Sequence, residues 1–193
     1  MVQSTGYNRV KTAVFISGAG SNLKSLIKFS KSKKSPISIN LIISSNRKAK
    51  GLNYAKTFKI REKIFNFKNK KSAENKLLSS LKINNIEMIC LAGFMKILSK
   101  DFIKKFKGKI LNIHPSLLPK YKGLNTHERA LKNKERYSGC TIHFVNSRLD
   151  SGKIILQKKV KISKKETEVS LAKKILVQEH KLYPKAILKV FNL

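Results

Sequence analysis

The chain has 193 residues, 41% of them apolar, and a formal net charge of +33. That length suits one domain with a full core, and no apolar run approaches the roughly 18 residues of a membrane span. Nucleic acid is the partner such a charge first suggests. However, the lysines are spread over the whole length, arginine is scarce beside lysine, and no helix-turn-helix, zinc-finger or aromatic RNA-binding pattern is present. The lysines read as a solvated surface that steers small anions, not as a specific nucleic-acid site.

Residues 1–9 read as a polar extension without the apolar centre of a signal peptide, and residues 10–193 as a single domain. Val10 to Ser17 is the first predicted strand, with Ala13-Val14-Phe15-Ile16 at its buried centre. Gly18-Ala19-Gly20-Ser21-Asn22 follows, and Leu23, Leu26 and Ile27 then take helical spacing. A small-residue turn between a strand and a helix leaves free N–H groups at the positive end of the helix dipole, which suits one phosphate. The third glycine of the dinucleotide fingerprint is replaced by Leu23, and no Walker A lysine follows.

A charged turn from Lys31 to Pro36 leads to a strand over Ile37 to Ser45 and a short helix over Gly51 to Phe58. A third strand is predicted over Glu62 to Phe67 and an amphipathic helix over Ser72 to Asn84. Ile86 to Ala92 is a nearly continuous apolar run, the pattern of a strand buried on both faces. The apolar stretch Gly93-Phe94-Met95-Lys96-Ile97-Leu98 after it can wall a flat ligand or serve as core. Ser99 caps a helix running to Lys107.

The next strand, Ile110-Leu111-Asn112-Ile113, ends in polar residues. Strand alternation puts Asn112 and His114 on one face. Pro115 and Pro119 stop further pairing and stiffen the loop. An amide donor beside a histidine at a strand's carboxyl end can hold an oxyanion and move a proton. His127 to Lys134 reads as helix, Gly139 to Val145 as a strand, and Asn146 to Gly152 as a loop. Ile154 to Ile162 is a further strand, antiparallel to its predecessor, and Thr167 to Phe191 is a long helix bent near Pro184. The alternation predicts an α/β fold: one Rossmann-like, mostly parallel twisted sheet with helices on both faces.

On its own residues Asp150 reads as a turn residue bonding its own backbone. The alternative is a carboxylate folded back to His114, where it would raise the imidazole pKa. His143, mid-strand, reads as a structural histidine, and His127 and His180 as helix surface or packing. Cys90 and Cys140 lie in apolar runs and read as reduced core thiols, and no spacing suggests a metal.

Taken together, Ile16-Ser17-Gly18-Ala19-Gly20-Ser21-Asn22-Leu23, Leu91 to Leu98, Leu111 to Tyr121, Gly139 to Val145 and Gln178-Glu179-His180 resemble the phosphoribosylglycinamide formyltransferase family. The likeness runs from Val14 to about Pro184. It implies the formyltransferase fold and a cytoplasmic enzyme, monomer or homodimer, of purine biosynthesis, with no membrane and no metal. It also implies that the amine of glycinamide ribonucleotide attacks the formyl carbon of the co-substrate 10-formyltetrahydrofolate through a tetrahedral intermediate.

By position, Asn112 and His114 would stabilise the oxyanion, with His114 as acid and Asp150 raising its pKa. Gly18, Ala19, Gly20, Ser21 and Asn22 would hold the phosphate, and Glu179 the glycinamide end. Met95, Lys96, Ile97 and Leu98, through main-chain contacts, and Asn112 would line the folate pocket, with Lys70 or Lys71 in place of a folate-contacting arginine.

Three departures from the family pattern stand out. Ala19 replaces a common Asn, Lys122 a usual Pro, and Ser151 and Lys153 alter the Asp150 loop. The related formyltetrahydrofolate hydrolases and methionyl-tRNA formyltransferases carry added domains, for which the sequence shows no counterpart. The reading of another class is a basic nucleic-acid-binding module.

Overall fold

The computed structural model describes residues 9–193, so the expected polar extension lies outside the described residues apart from Arg9. The Arg9 guanidinium bonds the carbonyls of Ser30 (2.7 Å) and Ser32 (3.0 Å). Seven strands form one sheet: β1 (Val10–Ile16), β2 (Ile37–Ser44), β3 (Arg61–Ile64), β4 (Met88–Leu91), β5 (Lys109–His114), β6 (Tyr137–Phe144) and β7 (Ile154–Lys161). Six helices connect or close them: α1 (Ser21–Ser30), α2 (Leu52–Phe58), α3 (Lys70–Ile83), α4 (Lys100–Lys105), α5 (Thr126–Lys132) and α6 (Glu168–Val190). The spatial order is β3-β2-β1-β4-β5-β6-β7. The first five strands in this order are parallel, and β6 and β7 add antiparallel pairs.

Strand alternation sorts the core into two layers. Val14, Ile16, Ile42, Cys90, Leu111 and Ile142 face α1, α2 and α6. Ala13, Phe15, Leu41, Ile89 and Ile110 face Leu77 and Leu81 of α3 and Phe102 of α4. The α/β reading with helices on both faces is therefore correct. The boundaries needed adjustment: the third strand begins at Arg61 and stops at Ile64, and the buried run around β4 is a strand only from Met88 to Leu91. The flanking apolar residues Phe65, Phe67, Ile86 and Ala92 pack from loops.

Both edge strands carry cations, Arg61 and Lys63 on β3 and Lys158, Lys159 and Lys161 on β7. Lysines on an open edge discourage pairing with another chain.

The long helix α6 continues through Pro184 without a break. Proline cannot bond the carbonyl four residues earlier, which here belongs to His180. The Ser25 hydroxyl of α1 donates to that carbonyl instead (2.9 Å), so the lost bond becomes an interhelix tie. Next to the proline, the fully buried Tyr183 sends its hydroxyl to the carbonyls of Leu91 and Leu111, both at 3.1 Å, joining α6 to the end of β4 and the middle of β5.

Tyr183→Phe removes that hydroxyl from a buried site and should destabilise the fold by about 1–2 kcal/mol. A urea titration that follows the loss of helix checks this.

Candidate active site

The chain turns from building one side of the sheet to building the other between β1 and β4, and in open α/β sheets ligands gather at the strand carboxyl ends beside such a switch. Three loops meet there: one after β1, one after β4 and one after β5.

After β1, Gly20 caps α1 with φ +74°, and a Cβ there would lie 2.6 Å from the Gly51 Cα. Only glycine meets both demands. Helix geometry leaves the N–H groups of Ser21, Asn22 and Leu23 without intrahelical partners, while Gly18 and Ala19 are exposed beside them. The Asn22 side chain does not join this group. Its amide donates to Glu179 Oε2 (2.7 Å) inside the interface between α1 and α6, leaving only its main-chain N–H for an anion. Burial pushes the Glu179 carboxyl up to about 7, partly opposed by the bond from Asn22.

After β4, the Met95 N–H donates to the Ser17 hydroxyl (2.8 Å), and Ser17 N–H donates to Gly93 O (3.0 Å), so the β1 and β4 loops are tied together. Met95 and Ile97 are 66% and 62% exposed, and Lys96 is exposed too, an unusual display of apolar surface at a strand end. The Leu98 side chain, at 5% exposure, packs in the α3/α4 core layer, so only its main chain is left to face the loop. Lys70 is exposed in the first turn of α3. Phe67, just before that helix, meets Phe94 edge-on at 5.6 Å, which places Lys70 beside the same loop.

After β5 lies the densest polar cluster. Antiparallel pairing sets Asn112 opposite His143 and His114 opposite Thr141, all four on one face of the sheet. The β6–β7 ladder shifts register after Ile142, but the extra residue, Ile155, lies on β7, so His143 keeps the regular alternation of β6. The His143 Nδ1–H donates to the Phe144 carbonyl (2.8 Å), leaving Nε2 to accept from Asn112 Nδ2 (3.2 Å). His143 thus belongs to the cluster, although its mid-strand position reads as structural in the sequence. What brings it there is its pairing opposite Asn112, a long-range contact that the pattern of β6 alone does not reveal.

Asp150 closes the cluster. Its residue has φ +44°, and its carboxylate accepts from the Gly123 N–H (2.8 Å) and from Asn112 Nδ2 (3.4 Å). It lies 3.4 Å from His114 Nδ1 and 3.7 Å from His143 Nε2. The loop can fold back this far because Gly152 sits where a Cβ would be 1.6 Å from the Phe144 carbonyl. Asp150 therefore reaches across the edge instead of capping its own turn. Burial raises its carboxyl pKa, but His143, the Gly123 N–H and the charge of His114 outweigh that and hold it below the usual range.

His114 is 5% exposed, and its Nε2–H donates to the Tyr121 carbonyl (2.8 Å). Burial lowers its pKa more than Tyr121 and Asp150 raise it, with His143 and Arg129 adding to the decrease. The expected upward pull of Asp150 is present, but desolvation outweighs it in the free protein.

A cavity of about 990 Å³ lies at the amino-terminal edge of the sheet between Leu78, Lys82, Phe106 and Phe191. The polar cluster does not line it. Among the described residues no group of three or more His, Cys, Asp or Glu side chains could hold a metal ion, and no helix is long and apolar enough to cross a membrane.

A mostly parallel sheet with an Asn-His-Asp cluster past its fifth strand and an anion-ready turn past its first matches the model described as Formyl transferase over residues 10–187. The chain belongs to the formyl transferase family. It is 42% identical over 180 residues to the phosphoribosylglycinamide formyltransferase of Haemophilus influenzae, a match covering 92% of this chain and 85% of that protein. The crystal structure of phosphoribosylglycinamide formyltransferase from Brucella melitensis superposes with a TM-score of 0.89 at 40% identity, over 95% of this chain and 96% of that one. The human trifunctional purine biosynthetic protein adenosine-3 is 40% identical over 182 residues, and the chain spans only 18% of its length.

The Glu179 carboxyl gives a pH signature. Its folded pKa of about 7 lies above the roughly 4.3 of an unfolded glutamate, so the folded state holds the extra proton between them. Stability should therefore be fully present below about pH 4 and decline toward pH 7, by on the order of 2–3 kcal/mol. Glu179→Gln should flatten this decline, as read by denaturant midpoints from pH 4.5 to 7.5.

Proposed function

We propose that this chain transfers the formyl group of 10-formyltetrahydrofolate to the amine of glycinamide ribonucleotide. The observation that carries the reading is the convergence of Asn112, His114 and Asp150, from a strand end and a distant loop, beside an anion-ready helix start. The relatives that match over most of both chains support it, since their printed name states this reaction class.

In this reading the free main-chain N–H groups after Gly20 hold the ribonucleotide phosphate. Glu179, already buried and reluctant to ionise, receives the glycinamide end, whose polar N–H groups favour the carboxylate. The exposed Met95 and Ile97 and the peptide groups around them accept the flat pterin of the folate, and Lys70 meets its acidic tail. A flat apolar ring with a polar edge fits that display of side chains and backbone.

Asn112 Nδ2 holds Asp150 only at 3.4 Å, so its second N–H can be redirected to the formyl oxygen as negative charge develops there. His114 supplies the second donor. Its Nε2–H is bound to main chain, which leaves Nδ1, facing Asp150, as the nitrogen able to exchange its proton. In the overall balance a C–N bond to the amine forms and the C–N10 bond breaks. The amine gives up one proton and N10 takes one up, and His114 with Asp150 passes it, directly or through water. The pathway is purine biosynthesis and the compartment the cytoplasm.

The charge of +33 sustains one competing reading, a basic nucleic-acid-binding module. Mixing the protein with both small molecules and following the folate absorbance separates the readings. Formyl loss that requires the ribonucleotide establishes the transferase, and loss without it indicates a hydrolase. No loss in either case, together with tight binding to DNA or RNA that survives moderate salt, would favour the module.

His114→Ala and Asp150→Asn should each lower kcat by about a hundredfold or more; wild-type turnover in either would remove it from the mechanism. Asp150→Asn also deletes the anion facing His114. If the protonated imidazole is the working form, the alkaline limb of the kcat profile should move to lower pH in that variant.

A further inference from the structure

The polar cluster depends on a main-chain carbonyl whose own support lies outside it. Tyr121 adopts φ +55°, a left-handed conformation costly for a bulky side chain. Its carbonyl accepts the His114 Nε2–H at 2.8 Å. The other end of the same residue is held at three points. Its hydroxyl donates to Glu135 Oε1 (2.8 Å) and accepts from Asn133 Nδ2 (2.9 Å), and the Arg129 guanidinium lies 5.2 Å from its ring centre. Glu135 and Asn133 come from the turn after α5, and Arg129 from α5 itself, where it also bonds the Lys122 carbonyl (2.7 Å).

We propose that Tyr121 and Glu135 are positioning residues for His114: the Glu135–Tyr121 hydrogen bond keeps Tyr121 in its left-handed conformation and so keeps its carbonyl on His114 Nε2. The physical link is short. A tyrosine released from its hydroxyl partner relaxes toward negative φ, and that rotation swings the carbonyl away from the imidazole. The ring then loses the acceptor that fixes which nitrogen carries its proton. Asp150 alone would face it, and Nδ1–H would become the favoured neutral tautomer.

The other charged or titratable groups that bear on His114 are His143 from β6 and Arg129 and His127 from α5. None of them offers Nε2 an acceptor.

The catalytic consequence rests on the formyl-transfer reading; the tautomer does not. Nitrogen-15 spectra of histidine-labelled free protein, with His114 assigned by His114→Ala, read the tautomer without substrate. Tyr121→Phe and Glu135→Ala should each shift His114 away from pure Nε2–H and lower its titration midpoint by about half a pH unit. Each should lower kcat by about tenfold with KM for both substrates within about twofold, and the double variant should match the single ones. Glu135→Gln keeps an acceptor oxygen for the tyrosine hydroxyl and should retain the wild-type spectrum. Lys120→Ala removes only the exposed ion pair with Glu135 and should do the same.

A wild-type His114 tautomer and midpoint in both Tyr121→Phe and Glu135→Ala would overturn the proposal, as would kcat losses that multiply in the double variant. A wild-type protein that transfers no formyl group would sink the functional reading, and the spectra would still decide the positioning role.

Discussion

At the carboxyl edge of the sheet, every segment that carries a residue of the polar cluster is tied to the carboxylate of Asp150. It takes the Gly123 N–H from the proline-rich loop, faces the His114 imidazole and Asn112 amide of β5, and sits beside His143 of β6. The formal charge of +33 gives an anion many exposed partners, yet this carboxylate is buried, with the Gly123 N–H and the Asn112 amide donating to it. A buried charge without such partners would be very costly. The cluster therefore stands or falls together: three neutral or weakly basic groups are held in one orientation by one anion.

The supports behind that anion are backbone features. Gly152 lets the Asp150 loop press on the Phe144 carbonyl, and Gly139 lets β6 pack beside Leu117 and the Lys158 carbonyl. Thr141 donates to Ser116 O (2.6 Å) and accepts from Leu118 N–H (3.1 Å), while Gln157 reaches the Leu118 carbonyl (2.8 Å). The two antiparallel strands thus do more than extend the sheet. They clamp the loop that follows β5, and that loop carries the carbonyl acting on His114.

The layered fold was legible because each core strand is an apolar run bounded by turn residues, and that information is local. Asn112 and His114 were legible for the same reason, since alternation alone places them together. Asp150 was not, because its own neighbours describe a turn; only family resemblance linked it to a strand 38 residues away in sequence from Asn112. The place of His143 was not legible because nothing within β6 shows that it pairs opposite Asn112 of β5. The bond between Asn22 and Glu179 was not legible because its partners lie 157 residues apart. In each case the missing information was register or a long-range contact.

The cationic edge strands have a consequence for the molecule in a crowded solution. Arg61 and Lys63 at one edge and Lys158, Lys159 and Lys161 at the other present like charge wherever two copies could extend one sheet into another. The reach of that repulsion is the Debye length, roughly 10 Å at 0.1 M salt and about 3 Å at 1 M. Backbone groups on these edges are thus guarded by a field whose range the solvent sets. Self-association through the sheet becomes a matter of ionic strength, and the lysine-rich composition acts as a colloidal stabiliser of an open-edged fold.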